Sequence, residues 1–175
     1  MVSYYSDKML KELESILEID FNNKKLLIRA ITHKSFPNEN PNLNIKNNER
    51  MEFLGDAVLD LSISSYLFNE FPDYPEGKLA KMKAILVSAP ILADIAKKIN
   101  LNKFLLLGKG EEMTGGRERD SILADAMEGI IAAIYLDRGL DKADNFIINN
   151  FKSDIEKVVT GDHIRDFKTL LQETI

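Results

Sequence analysis

The chain has 175 residues, 45% of them apolar and 29% charged, the composition of a globular domain long enough to bury one core. It contains no cysteine, which excludes disulfides and thiolate metal sites and makes a reducing, cytoplasmic setting the expectation. A formal net charge of −5 argues against simple electrostatic binding of nucleic acid, so a polyanionic substrate would need cations beyond Lys and Arg. The longest apolar run, residues 130–136, is far too short to span a bilayer, so no membrane partner is expected.

Apolar residues recur at three- and four-residue spacing almost throughout, and strand signals are nearly absent, so the expected fold class is all-α. Helices are predicted over about 4–18, 23–33, 46–70, 77–98, 101–107, 120–138, 141–159 and 163–174. The first lacks the uninterrupted apolar centre of a signal peptide, because Lys and Glu break it. PNENPNLNIKNN (37–48) reads as a polar loop and FPDYPEG (71–77) as a turn. Pro90 either starts a new helix or kinks the fourth. GKGEEMTGGRERD (108–120) is a glycine-rich loop, either a plain connection or a phosphate contact through Lys109, Arg117 or Arg119, with Arg117 the leading candidate. The last stretch begins an amphipathic helix and stops in mid-pattern. We therefore read 1–160 as one domain and 161–175 as a linker and the stub of a further domain.

Two helices carry acids beside strongly apolar arcs. On the third, Glu49, Glu52 and Asp56 fall at i, i+3 and i+7 on one stripe, while Met51, Leu54, Val58 and Leu61 form the expected core face. On the sixth, Asp125 and Glu128 share a face, with Leu123, Ala126, Met127, Ile130 and Ile134 turned to the core. Gly129 and Ala132 flank that pair and would let a helix or an ion come close. Like charges at such spacing destabilise a helix by a few tenths of a kcal/mol per pair. Two such faces brought together would call for a cation between them; left apart, they are ordinary solvated faces. His33 and His163 lie outside both acidic helices, so the ligand set is all oxygen, suited to Mg²⁺ or Mn²⁺. His33 reads as a packing or hydrogen-bonding residue, His163 as one without a specific role, and Lys83 as a solvated lysine. Phe53 sits roughly 40° round the helix from the acid stripe and outside the core arc.

NERMEFLGDAVLD (48–60) resembles the signature of the ribonuclease III family. The likeness continues in order through THKS (32–35), PEGKLAKMKAILVS (75–88), LLLGKGEE (105–112) and GGRERDSILADAMEGIIAAIYLDRG (115–139), covering most of residues 25–140. Met51 replaces the more usual leucine. The resemblance implies an all-helical, homodimeric endonuclease domain that cuts double-stranded RNA with divalent metal, leaving 5′-phosphate and 3′-hydroxyl ends. It makes Glu52, Asp56, Asp125 and Glu128 the metal carboxylates and gives Glu49 a supporting catalytic role. Glu76 matches an acid near the RNA away from the metal, and Phe53 a residue that plugs into a cavity on the other subunit. DFKTLLQE (166–173) resembles the start of a double-stranded-RNA-binding domain. Two other readings compete: an all-α Mg²⁺-dependent nucleotide pyrophosphohydrolase, and a non-catalytic RNA-binding relative.

Overall fold

The structure is a computed structural model that describes residues 6–160. In chain order the helices are α1 (Asp7–Leu17), α2 (Lys24–Ala30), α3 (Ser35–Glu39), α4 (Glu49–Glu70), α5 (Glu76–Leu86), α6 (Ala89–Lys98), α7 (Lys109–Met113), α8 (Asp120–Arg138) and α9 (Leu140–Thr160). Short 3-10 turns lie at Pro41–Leu43, Leu101–Phe104 and Gly116–Glu118. The all-α expectation holds: among the described residues the only β pairing is an isolated parallel bridge between Thr32 and Leu106. The predicted helix over 163–174, the domain stub and His163 lie outside the described residues. None of the described helices is long and apolar enough to cross a membrane.

Helix α8 forms the centre. It is buried on nearly every side, through Ile122, Leu123, Met127, Ile130, Ile131 and Ile134 and the small residues between them, and it packs on α2, α4, α6 and α9. Close approach needs small residues at two crossings. A Cβ on Gly55 of α4 would lie 1.9 Å from the Glu128 carbonyl oxygen, and one on Gly129 would lie 2.7 Å from the Ala30 carbonyl oxygen of α2. Gly129 therefore admits a helix, one of the two uses the sequence suggested for it.

Several predicted boundaries move for local reasons. The second helix stops at Ala30 because the chain turns extended and pairs with the segment after Phe104: the His33 N–H donates to the Leu106 carbonyl (3.0 Å) and the Leu106 N–H to that of Ile31 (2.8 Å). Residues 101–107 consequently form one 3-10 turn and an extended piece rather than a helix. Pro90 starts a new helix. Ser88 takes an extended N-cap conformation, and the proline occupies the first turn of α6, where a missing N–H costs nothing. The loop over 37–48 is partly helical, since α3 runs to Glu39 and buries Phe36.

The core face of α4 also differs from expectation. Met51 and Val58 are buried, but Leu54 is only half-buried and Leu61 is 52% exposed. The buried arc runs instead through Met51, Gly55, Val58, Leu59, Ser62, Ile63 and Leu67, because α8 crosses at Gly55 and so sets which side faces inward. Ser62 is tolerated there because its hydroxyl donates to the Asp144 carboxylate of α9. Leu61, displaced from the core, joins Phe53 and Phe68 in an exposed apolar stripe along α4.

Gly55→Ala should therefore cost about 1–3 kcal/mol, the usual range for overpacking, because the added methyl meets backbone rather than a movable side-chain tip. Urea denaturation measures this, and a midpoint equal to that of the unaltered protein would show that α4 and α8 do not touch at Gly55.

Candidate metal centre

The start of α4 is anchored before its acids appear. The Asn48 N–H donates to the Thr32 carbonyl (2.9 Å), and the Asn48 carbonyl accepts from the N–H groups of Met51 (2.7 Å) and Glu52 (2.9 Å). Glu49 and Glu52 thus lie in the first turn, where the helix dipole favours negative charge. From there α4 runs across α8 at Gly55. Glu52, Asp125 and Glu128 each present a ligand atom within 4.8 Å of the other two, and all three are half-buried. Asp56, exposed at the turn after Gly55, is not within this trio, though its charge is the strongest that acts on Glu128. Glu49 stands to one side: the Asn47 side-chain amide donates to it (3.0 Å) and the Lys34 ammonium lies 3.5 Å away. His33, Lys34, Asn48, Glu49, Glu52 and Asp125 line an adjoining cleft of about 250 Å³.

These carboxylates disturb one another. Burial, followed by the charges of Asp56, Asp125 and Glu52, pushes the Glu128 carboxyl up to about 8. Burial and then Asp125 raise Glu52, and burial raises Asp125. Such a group favours a counter-cation strongly, and the one lysine lining the cleft is paired with Glu49. The donors are oxygen only and half-buried, so the residues fit a hard divalent ion.

His33 has the hydrogen-bonding role expected of it. Its Nδ1 lies 2.8 Å from the Ser35 hydroxyl, which in turn accepts the Gly108 N–H (2.8 Å). The Ser35 hydroxyl proton is therefore available to Nδ1, and burial keeps the imidazole pKa low. This relay ties α3 to the glycine-rich loop.

That loop is ordered rather than a slack connection. The Glu39 carboxylate, which the sequence reading passed over, accepts the N–H groups of Lys109 (2.7 Å) and Gly110 (3.0 Å) at the start of α7. Arg117 turns inward, bonding Glu112 through Nε and Nη2 and the carbonyls of Asn102 and Leu105 through Nη1. Arg119 bonds Glu111 (2.6 Å). Lys109 remains exposed. Glu76, exposed at the first residue of α5, lies in a separate cleft with Phe68, Leu79 and Lys83, apart from the acid trio. Lys83 is not simply solvated, because its ammonium pairs with Asp60 at 2.8 Å. Gly55 was the overlooked signal for the site, a glycine inside a helix that otherwise has no reason to carry one.

A family profile described as "Ribonuclease-III-like" matches residues 23–155. Ribonuclease 3 of Clostridium perfringens is 48% identical over 97% of this chain, which spans 70% of that relative. Ribonuclease 3 of Caldanaerobacter subterraneus is 50% identical over 95% of this chain and 73% of its own length. Among solved structures, the nuclease domain of ribonuclease III from Campylobacter jejuni superposes with a TM-score of 0.77 at 44% identity, covering 82% of this chain and 96% of that one. That structure is described as having flexibility in a region involved in dimer formation.

Between its ordinary value of 4.5 and about 8, Glu128 holds a proton in the folded metal-free protein that the unfolded chain has lost. Its contribution to metal-free stability should thus fall as pH rises through that window, and Glu128→Gln should flatten the slope. A divalent ion must also displace this proton. Calorimetric metal titrations near pH 7 in buffers of different ionisation enthalpy should report proton release that Glu128→Gln reduces; buffer-independent heats would contradict the assignment.

Proposed function

The chain belongs to the ribonuclease-III-like family, and on that premise we propose that it is a metal-dependent endoribonuclease acting on double-stranded RNA in RNA processing, leaving 5′-phosphate and 3′-hydroxyl ends. The observation that carries this reading is the meeting of Glu52 with Asp125 and Glu128 where α4 crosses α8. Glu52, Asp125 and Glu128 would hold a divalent ion, Mg²⁺ in our reading with Mn²⁺ able to substitute, and Asp56 would join them from the turn after Gly55. An ion bound there supplies a Lewis acid for the phosphoryl oxygens and lowers the pKa of a bound water. The protein's own part is to hold these carboxylates in place and to keep Glu128 ready to lose its proton. Glu49, steadied by Asn47 and Lys34 in the lining of the cleft, would orient water or substrate there. The cytoplasm is the compartment that fits a chain without cysteine.

The active form we propose is a homodimer. Phe53 is 81% exposed and Phe68 72%, and together with Leu61 they give α4 an apolar stripe that an isolated chain would leave in water. A second copy of the same face would cover it, with Phe53 entering a cavity on the partner. Lys109 remains a candidate for phosphate contact, whereas the donors of Arg117 are taken up by Glu112 and by the carbonyls of Asn102 and Leu105. Glu76, in the cleft with Phe68 and apart from the acid trio, is kept as a candidate contact near the RNA. A pyrophosphohydrolase is the weaker reading, because the acid pairs here come from helices far apart in the chain.

Incubation of labelled duplex RNA with Mg²⁺ tests the proposal directly. Glu128→Gln should lower cleavage steeply while leaving the protein folded; equal rates across a Mg²⁺ titration would refute the role of Glu128. Phe53→Ala empties two symmetric aromatic sites, each worth about 3–5 kcal/mol, so sedimentation at low micromolar concentration should find monomer. A dimer of undiminished strength would place Phe53 outside the interface.

A further inference from the structure

Many of the cations in this acidic protein are neutralised: Lys24 by Glu14, Lys83 by Asp60, Lys97 by Asp120, Lys98 and Lys157 by Asp154, Arg119 by Glu111. One groove, of about 380 Å³, differs. Its lining includes Arg29, Lys46 and Arg50 with the amide side chains of Asn38 and Asn47, and it contains no carboxylate. None of these three cations forms an ion pair with a described residue. The two acids adjacent in sequence are already engaged, Glu39 by the amides of α7 and Glu49 by Asn47 and Lys34.

Asn47 joins this groove to the acid cleft. Its carbonyl accepts the Arg29 Nε–H (3.0 Å), which fixes the guanidinium while leaving Nη1 and Nη2 without a partner among the described residues. Its side chain donates to the Glu49 carboxylate (3.0 Å) and accepts the Glu49 N–H (3.3 Å). Residues 47–50 thus form a shared wall, with Asn47 and Arg50 facing the groove and Asn48 and Glu49 the cleft. A polyanion approaching the acid trio meets repulsion, and unneutralised cations beside it offset that repulsion while supplying the phosphate contacts on which affinity depends. A guanidinium held at Nε still offers a two-pronged face to a phosphate.

We infer that the groove formed by Arg29, Lys46 and Arg50 is a phosphate-binding subsite for the duplex RNA backbone flanking the bond to be cleaved. The inference rests on the nuclease reading above. The subsite acts through charge and carries no base specificity, as expected for a duplex read by its backbone.

The test compares three forms of the chain on one labelled RNA duplex, with kcat and KM measured at several salt concentrations. The Lys46→Ala, Arg50→Ala double variant should raise KM roughly tenfold near 0.1 M salt. It should also reduce the slope of log kcat/KM against log salt by about 2, one for each lost phosphate contact. Lys8→Ala with Lys11→Ala, on the exposed face of α1, removes the same net charge and should leave cleavage and slope unchanged. Where the alanine pair lowers the melting temperature, Lys46→Gln with Arg50→Gln takes its place. Equal shifts in both double variants would reduce the effect to overall charge and overturn the subsite, as would an unchanged salt slope in the groove variant. Failure of the unaltered protein to cut duplex RNA would remove the nuclease reading and the subsite with it; cleavage with an unchanged slope removes the subsite alone.

Discussion

The crossing of α4 over α8 at Gly55 and Glu128 is the contact on which the rest of this structure depends. There is no room between the two backbones for even a methyl group, since a Cβ at Gly55 would lie 1.9 Å from the Glu128 carbonyl oxygen. Helices that approach this closely bury their flanking apolar rows, Met51, Val58 and Leu59 on one side and Met127, Ile130 and Ile131 on the other. The same closeness carries Glu52 up to Asp125 and Glu128. Apart from the Asn48 to Thr32 hydrogen bond at the start of α4, the trio depends on this crossing. Its geometry is a by-product of how the core is packed, which is a rigid way to hold these carboxylates.

That arrangement sets stability against function. Three half-buried carboxylates lie within 4.8 Å of one another, and burial first, then the charges of Asp56, Asp125 and Glu52, push Glu128 up to about 8. The fold tolerates it because α8 is apolar on almost every other side and is surrounded by four helices. The electrostatic cost is lodged where a bound cation would relieve it. Core packing holds the two backbones together, and a bound cation would neutralise the charges that this closeness brings into contact.

Charge elsewhere follows a division of labour. The segment over 108–119 is braced by Arg117, by Arg119 on Glu111 and by the Glu39 carboxylate on the amides of α7, so its cations largely serve the protein. Three cations that form no ion pair with a described residue, Arg29, Lys46 and Arg50, gather in one groove across the start of α4, in a stretch that looks in sequence like a polar connector. An acidic protein can thus present positive charge locally, where the net value of −5 says nothing of its distribution.

The sequence by itself determined the helical class, the span of α8, the turn near residue 71, and the two acidic faces, because hydrophobic period and charge spacing are properties of a single helix. The resemblance added the roles expected of those acids. Tertiary structure alone decided what depends on a neighbour. It rotated the core face of α4 away from Leu54 and Leu61, since the position of Gly55 under α8 fixes which arc is inward. It ended the second helix at Ala30, since Thr32 pairs with Leu106, seventy-odd residues away in the chain. It paired Lys83 with Asp60 and turned Arg117 into the protein, because an arginine in a glycine-rich loop has the same local sequence whether its partner is a phosphate or a Glu112. Periodicity records what each segment can bury, and only the packing of segments against one another decides which of those surfaces meet.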